Sequence, residues 1–463
     1  MIYLLMLIIF ILGYAFIAFE HNIKIDKAAS ALITGSLCWA IFALGLFEID
    51  INSNNFENFL KYFQSKEINY TSDFINQNIS YVKKKFILYE LSHHLSEIGQ
   101  ILFFLLGAMT IVEVVDCHQG FSVITDRIKT NNKVKLMWIL CILSFIFSAT
   151  LDNLTTAIVM SALLTKIIED KEDLWLFAGM VIISANAGGA WSPIGDVTTI
   201  MLWIGGQVTA INIITSLIIP SFICMIVPLL YLTFKLKGNI KRPKQINEIG
   251  HSINPTSKFE KKIIFSLGVL GLLFVPIFKT ITGLPPFVGI LFSLGVMWLT
   301  TEILHRNKNH EEKSNLIVIG VLKKIDTATI FFFLGILLAV ASLQSMGHLN
   351  DMAIILENSF NGNIYAINII IGLLSAIVDN VPLVAGAMGM YEIGTGVFAV
   401  DGIFWEFLAY CAGTGGSVLI IGSAAGVAAM GILKIDFFWY VKKISLLALI
   451  GYFAGALTYI LMQ

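Results

Sequence analysis

The chain has 463 residues, 57% of them hydrophobic and only 13% charged. So few charges cannot cover a soluble domain of this size, so much of the surface faces lipid. Thirty Lys+Arg against 31 Asp+Glu exclude the basic excess of a nucleic-acid binder. No Gly-x-x-x-x-Gly-Lys-Ser/Thr run is present, which excludes a P-loop ATPase and leaves an ion gradient as the driver of any transport.

In chain order, the first apolar run, Met1 to Phe19, lacks a basic leader and a small-x-small cleavage site, and reads as a retained span. A span needs about 20 mostly apolar residues. Spans are predicted at 2–19, 28–47, 95–116, 173–204, 208–234, 261–279, 285–304, 326–346, 404–433 and 436–461. Two more apolar segments, 134–169 and 364–398, carry an Asp-Asn pair near their middle. Each is too long for one ordinary helix and too polar at its centre for two lipid-exposed ones. A re-entrant helix-turn-helix hairpin fits, because irregular backbone at membrane depth is allowed where protein or water covers it. The five cysteines (Cys38, Cys117, Cys141, Cys224, Cys411) form no Cys-x-x-Cys and read as small buried apolar residues. No cofactor is implied.

Orientation follows from the basic loops: 127–135, 235–262, 305–324, and Lys434 with Lys442 and Lys443. Threading the spans with 235–262 in the cytoplasm puts the other basic loops there too. The stretch 347–363, without Lys or Arg, then lies outside, with both termini and the polar loop 48–85. Lys83, Lys84 and Lys85 oppose that assignment, although long loops obey the rule weakly.

A repeat underlies the pattern. Ser148–Leu154 (Ser-Ala-Thr-Leu-Asp-Asn-Leu) recurs as Ser375–Val381 (Ser-Ala-Ile-Val-Asp-Asn-Val), 227 positions later. Gly188, Gly189 and Gly195 recur as Gly415, Gly416 and Gly422 at the same offset, and Phe103–Gly107 resembles Phe331–Gly335. Each half holds five spans and a hairpin, and an odd number of crossings inverts the second half. The expected fold is therefore an all-α polytopic membrane protein with two inverted-topology repeats. Each repeat has about five spans, one re-entrant hairpin and one broken helix. Residues 1–234 form the first (hairpin 134–169, broken helix 173–204), 235–260 a basic cytoplasmic linker, and 261–463 the second (hairpin 364–398, broken helix 404–433). Interrupted segments at corresponding positions of inverted repeats point to a transporter's midplane site.

The chemistry concentrates at those interruptions. Val134 to Asp152 is about 27 Å of helix, enough to carry the hairpin tip towards mid-membrane. A carboxylate there costs several kcal/mol unless paired, protonated or hydrated. Asp152 and Asp379 occupy equivalent positions, Asn153 and Asn380 add amide oxygens, and a turn frees carbonyls; together these suit a hard cation. The same Asp-Asn pairs, followed by Thr155 and by Pro382, also suit helix capping, and both roles can coexist. In 173–204, Gly188-Gly189 and Ser192-Pro193 should break the helix, so that Asn186 ends one half and Asp196, Thr198 and Thr199 open the next. Asp196 faces a site or merely caps its half-helix. The second copy has Ser423 where the first has Asp196, so the symmetry is broken in charge. A buried carboxylate that binds either H⁺ or Na⁺ would give exchange without a separate proton path. His93, His94 and Glu97 precede the third span; they suit pH sensing or simple interfacial solvation.

The His93–Ile98, Phe103–Glu113, Ser148–Thr156, Ser184–Thr199 and Ser375–Pro382 runs resemble the NhaD-type sodium/proton antiporters of the ion-transporter superfamily. The likeness covers the chain from about residue 86 onward. It implies re-entrant hairpins in two inverted repeats, a homodimer, and Na⁺ or Li⁺ export driven by protons across a bacterial inner membrane. It places functional roles on His93, His94, Asp152, Asn153, Asn186, Asp196, Thr198, Thr199 and Ser423, with matches at Asp379 and Asn380. Loop 48–85 is longer and richer in Asn than the family suggests. The alternative is a sodium-coupled carboxylate or other anion carrier of the same superfamily. The Asp-Asn tips and the lack of a basic residue at the predicted midplane count against it. A channel or structural membrane protein fits the paired inverted hairpins less well.

Overall fold

The computed structural model describes residues 2–18, 20–45, 56–57, 59–62, 75, 77–125, 127–243, 256–309, 313, 315–377 and 379–463. Most of loop 48–85 and residues 244–255 of the linker lie outside them. The regular elements among the described residues are helices, apart from one isolated bridge, Asn132 to Asn239.

In chain order the principal helices are α1 (Ile2–Ala18), α2 (Lys27–Leu44), α3 (Ile79–Cys117), α4 (Lys133–Leu151), α5 (Asn153–Ile167), α6 (Lys171–Ala190), α7 (Val197–Ile204), α8 (Ala210–Lys235), α9 (Lys258–Thr282), α10 (Pro286–Leu304), α11 (Thr327–Met346), α12 (His348–Ser359), α13 (Ile364–Leu374), α14 (Asn380–Met390), α15 (Ile403–Gly415), α16 (Ala424–Leu433) and α17 (Phe437–Met462). Nine of the described helices are long and apolar enough to cross a bilayer. The chain is a multi-pass membrane protein. Both segments expected to be hairpins are helix-break-helix (α4–α5 and α13–α14), and both long spans expected to break do so (α6–α7 and α15–α16). The first of these breaks lies at Trp191–Asp196, around Ser192-Pro193, and not at Gly188-Gly189: α6 runs past Asn186 and both glycines to Ala190, because the glycines serve close packing inside the helix. One boundary also differs. The third span does not start at residue 95; its helix continues back to Ile79, into the segment read as loop. Val82 and Phe86 are fully buried there. Apolar packing extends the helix where the run of three lysines suggested solvent.

The chain forms two compact units. The first comprises 1–102, 326–362 and 385–392. Its centre is α2 against α11, where a Cβ added to Gly335 would sit 2.5 Å from the Leu32 nitrogen, so only a glycine permits that approach. The Trp39 indole donates to the Leu338 carbonyl at 2.9 Å. A cluster of Phe42, Phe56, Phe59 and Phe86 fills the adjoining core.

The second unit comprises 103–325, 363–384 and 393–463 and contains the breaks of α4–α5, α6–α7, α13–α14 and α15–α16. Its helices meet through small residues. Gly188 of α6 rests on the Phe145 backbone of α4, where a Cβ would lie 2.8 Å from the Phe145 Cα. Gly415 of α15 rests in the same way on the Gly372 backbone of α13, with an added Cβ 2.7 Å from the Gly372 carbon. Side-chain loss at these positions lets two backbones approach with little volume between them.

Candidate functional site

The breaks are held by contacts that recur at the repeat offset. Ser148 donates to the Ala185 carbonyl, and Ser375, 227 positions on, donates to that of Ala412 at 3.0 Å. Gly189 packs on Gly195, and Gly416 packs on Gly422. Each hairpin arm is thus pinned to the end of the first half of a broken helix, which fixes where the following half-helix begins.

Four half-helices, α5, α7, α14 and α16, start at these breaks. The first turn of each leaves backbone N–H groups without intrahelical partners and carries the positive end of the helix dipole. In every case a side-chain oxygen of the chain fills that position. Asp152 accepts from Thr155 N at 2.6 Å and from Thr155 Oγ1 at 2.9 Å. Asp196 Oδ1 accepts from Thr198 N at 2.9 Å and Thr198 Oγ1 at 2.8 Å. Asp379 Oδ1 accepts from Val381 N at 3.2 Å. Ser423 Oγ accepts from Gly426 N at 3.2 Å. Asp152 does so with φ at +128°, a strained conformation for a residue with a Cβ.

Asp196 is the centre of the cluster, only 1% exposed. The Asn153 amide of the first hairpin donates to its Oδ2 at 2.6 Å, and the Asn380 amide of the second hairpin reaches its Oδ1 at 3.5 Å. Asn186, fully buried in the last turns of α6, joins the remaining pieces. Its Oδ1 accepts from Asn153 at 3.2 Å, and its Nδ2 donates to Ser417 Oγ and to Ser423 Oγ, each at 2.9 Å. Thr199 turns its hydroxyl back to the Asp196 carbonyl at 2.8 Å. Asn153, Asn186, Asp196, Thr198, Ser423 and Asn380 therefore share one buried network, which Thr199 closes through the backbone. Asp152 and Asp379 stand beside it, half-buried, each holding its own helix start.

Ser417 was not singled out from the sequence. It occupies the place of Ala190 in the first copy, so symmetry carried no signal for it. The two serines present oxygen where the first half presents Ala190 and the Asp196 carboxylate.

His93 and His94 lie in the first unit. His94 is buried: its Nε2 lies 3.2 Å from Ser345 Oγ, which donates to Glu90 Oε2 at 2.7 Å. Its Nδ1 is 3.7 Å from Glu97 Oε2. His93 is exposed, stacks on Tyr89 and pairs with Glu97 at 3.5 Å. His94 thus has a buried acid, Glu90, that the sequence reading passed over, whereas His93 has the solvated setting of an interfacial residue.

A polytopic helical protein whose breaks meet at a buried network of acid, amide and hydroxyl groups belongs to the class of membrane transporters. The family model described as citrate transporter matches residues 5–406. The chain is 41% identical over 460 residues to Sodium/proton antiporter 1 of Arabidopsis thaliana, covering 98% of this chain and 72% of that protein. It is 40% identical over 462 residues to Sodium/proton antiporter 2 of the same plant, covering 98% of each. It is 30% identical over 389 residues to the Na(+)/H(+) antiporter NhaD of Vibrio parahaemolyticus, covering 78% and 90%. The chain belongs to the citrate-transporter family, among its NhaD-type sodium/proton antiporters.

Proposed function

We propose that this protein is a secondary transporter that exchanges Na⁺ or Li⁺ for H⁺ at Asp196 by alternating access. The observation that carries the reading is a buried carboxylate reached by the amides of both hairpins, at a place where four half-helices begin.

A carboxylate removed from water favours whichever positive partner can reach it, a proton or a desolvated small cation. The oxygens around Asp196 are hard ligands: the carboxylate itself, the Asn153, Asn186 and Asn380 amides once turned, the Thr198, Ser417 and Ser423 hydroxyls, and the carbonyls that end α4, α6 and α15. Dipole directions support the same division of labour. Half-helix N-termini stabilise the carboxylates, and half-helix C-termini offer carbonyl oxygen to a cation. Asp152 and Asp379 add negative charge at the hairpin tips and join Asp196 in binding cation or proton. H⁺ and Na⁺ then exclude one another at one site, and this competition couples their fluxes. Named antiporters among the relatives support this reading.

The anion-carrier alternative meets a specific obstacle. Anionic substrates of broken-helix transporters are held by helix N-termini. Here those donors are taken by Asp152, Asp196, Asp379 and Ser423, three of them acids.

The contacts repeated at 227 positions support the two-repeat organisation, with repeats 1–234 and 261–463 about the linker 235–260. With the basic loops inside, α4–α5 enters from the cytoplasm and α13–α14 from the other face. In a bacterium the membrane would be the inner one; the plant relatives leave other membranes open to homologues. The homodimer rests on the family resemblance, as does pH sensing by His93, His94 and Glu97, for which the buried His94–Ser345–Glu90 contacts give support.

The test is growth of a cation-exporter-deficient bacterium on high Na⁺ or Li⁺, followed by proton dequenching in everted vesicles on addition of each cation. Dequenching by Na⁺ or Li⁺ is expected. Its absence, with citrate uptake in its place, would refute the exchanger.

A further inference from the structure

A second deeply buried carboxylate lies away from the Asp196 network. Glu406, in the first turn of α15, is 4% exposed. Its Oε2 accepts from Tyr459 Oη of α17 at 2.6 Å, and its Oε1 accepts from Asn212 Nδ2 of α8. The titratable groups near it are Tyr459 itself, Tyr365 and Cys411 beside that phenol, and Asp401, which holds the Thr209 N–H three residues before Asn212. Among the described residues no Lys, Arg or His nitrogen forms an ion pair with Glu406.

A carboxylate is rarely buried without a charged partner, and one buried within the membrane marks a functional site by default. Glu406 has instead one hydroxyl and one amide, groups that can serve either charge state. Ionised, the carboxylate accepts from both. Protonated, it must donate through one oxygen, and the Asn212 amide can meet that need by turning its Oδ1 towards it. The Asn212 Oδ1 is held only by Ser216 Oγ at 3.4 Å, so the turn breaks one long hydrogen bond.

Its position relates it to the exchange site. Glu406 and Gly413 are seven residues apart on α15, two turns along one face and about 10 Å from each other. A Cβ added to Gly413 would lie 3.1 Å from the Ala190 Cβ and 3.9 Å from Asp196 Oδ2. The face of α15 that meets Asp196 thus carries Glu406 at its other end, beside Thr209 and Asp401, the end that the basic-loop distribution assigns to the outside.

We propose that Glu406 is a second proton-binding residue of the exchanger, loaded from the external face and acting in series with Asp196; this rests on the Na⁺/H⁺ reading above. The proton adds to Glu406 Oε1 as the Asn212 amide turns, and leaves as it turns back. A purely structural tie between α8, α15 and α17 is the competing role. Glu406→Gln separates the two, since the amide keeps both hydrogen bonds but cannot take up or release the proton.

Wild-type, Glu406→Gln and Tyr459→Phe proteins are reconstituted in liposomes. Isotopic Na⁺/Na⁺ exchange, which moves no net proton, is measured beside Na⁺-driven proton flux across a range of external pH. For Glu406→Gln, isotope exchange is expected to stay close to wild type. Proton-coupled flux is expected to fall by about a hundredfold, the lower end for a positioned proton-transfer group. Tyr459→Phe is expected to move the pH midpoint of the flux while leaving isotope exchange in place. Wild-type proton flux and pH profile in Glu406→Gln would overturn the proposal, as would an equal loss of both activities. Should that variant fail to insert, an unchanged pH midpoint in Tyr459→Phe would overturn it. A wild-type protein with isotope exchange but no proton coupling would instead refute the Na⁺/H⁺ reading itself.

Discussion

Replacing Asp196 by Asn separates charge from shape. Asn caps helices as well as Asp does, so the two bonds from Thr198, at 2.9 and 2.8 Å, survive on the amide oxygen. The new NH₂ then falls where Oδ2 stood, facing the Asn153 amide nitrogen at the former 2.6 Å separation. Two donors cannot share that space. Turning the Asn153 amide cures this clash but sets its oxygen against Asn186 Oδ1, which now accepts from it at 3.2 Å. One buried group is left unsatisfied either way, at about 1–3 kcal/mol. Asp196→Asn should therefore fold and insert, with thermal stability in detergent reduced by a few degrees. The cation loses a full charge at its closest ligand, so exchange should fall at least about a hundredfold, or some 2.8 kcal/mol at 1.4 kcal/mol per decade. Cation-induced dequenching in proteoliposomes across pH gives the activity, and a detergent melting curve gives the stability. A folded Asp196→Asn protein that keeps a tenth or more of wild-type exchange would refute Asp196 as the cation and proton site.

Gly188→Ala puts a Cβ into the Phe145 backbone and forces α4 away from α6, an overpacking that costs about 1–3 kcal/mol; a lowered melting temperature together with a weaker apparent Na⁺ affinity is expected, and wild-type values for both would show that the hairpin does not need this contact. At Asp152 both Ala and Gly remove the cap, but Gly relaxes the +128° φ, so Asp152→Gly should be the more stable of the two by about 1 kcal/mol in melting experiments. Beyond the end of α10, His305 is fully buried with its Nε2 2.7 Å from His118 Nε2. Burial, with help from Lys308, pushes the His305 imidazole down to about 4 from the ordinary 6.5, and burial lowers His118 as well. The unfolded chain then binds more protons than the folded one between those values, so stability is lost as pH falls from about 6.5 towards 4. Melting temperature should drop over that window, and His305→Gln should flatten the drop; an equally steep profile in the variant would assign the loss to other groups.

Much of this protein is written in one dimension. The long apolar runs mark the spans, because lipid penalises any polar group or unpaired backbone along a span, and the recurrence of Ser148–Leu154 at Ser375–Val381 is visible in the sequence itself. The helix breaks at Ser192-Pro193 and at the two Asp-Asn pairs are local facts of backbone chemistry and are equally legible, whereas Gly188-Gly189, expected to break the helix, stays within α6. Other features needed three dimensions. The start of α3 at Ile79 was hidden because Val82 and Phe86 find apolar partners that no local composition reports. Sequence offers Asp152, Asp196 and Asp379 alike as cation ligands; in the fold each caps its own half-helix, and Asp196 also receives Asn153 and Asn380 from the two hairpins. Ser417 and Glu406 became visible only through Asn186, Asn212 and Tyr459, partners 231, 194 and 53 positions away. Sequence determines which groups are too costly to leave in lipid without a role, because that cost belongs to each residue alone. Which of them meet depends on how helices from distant parts of the chain pack, since a carboxylate's partner is set by distance in space, which spacing along the chain does not encode.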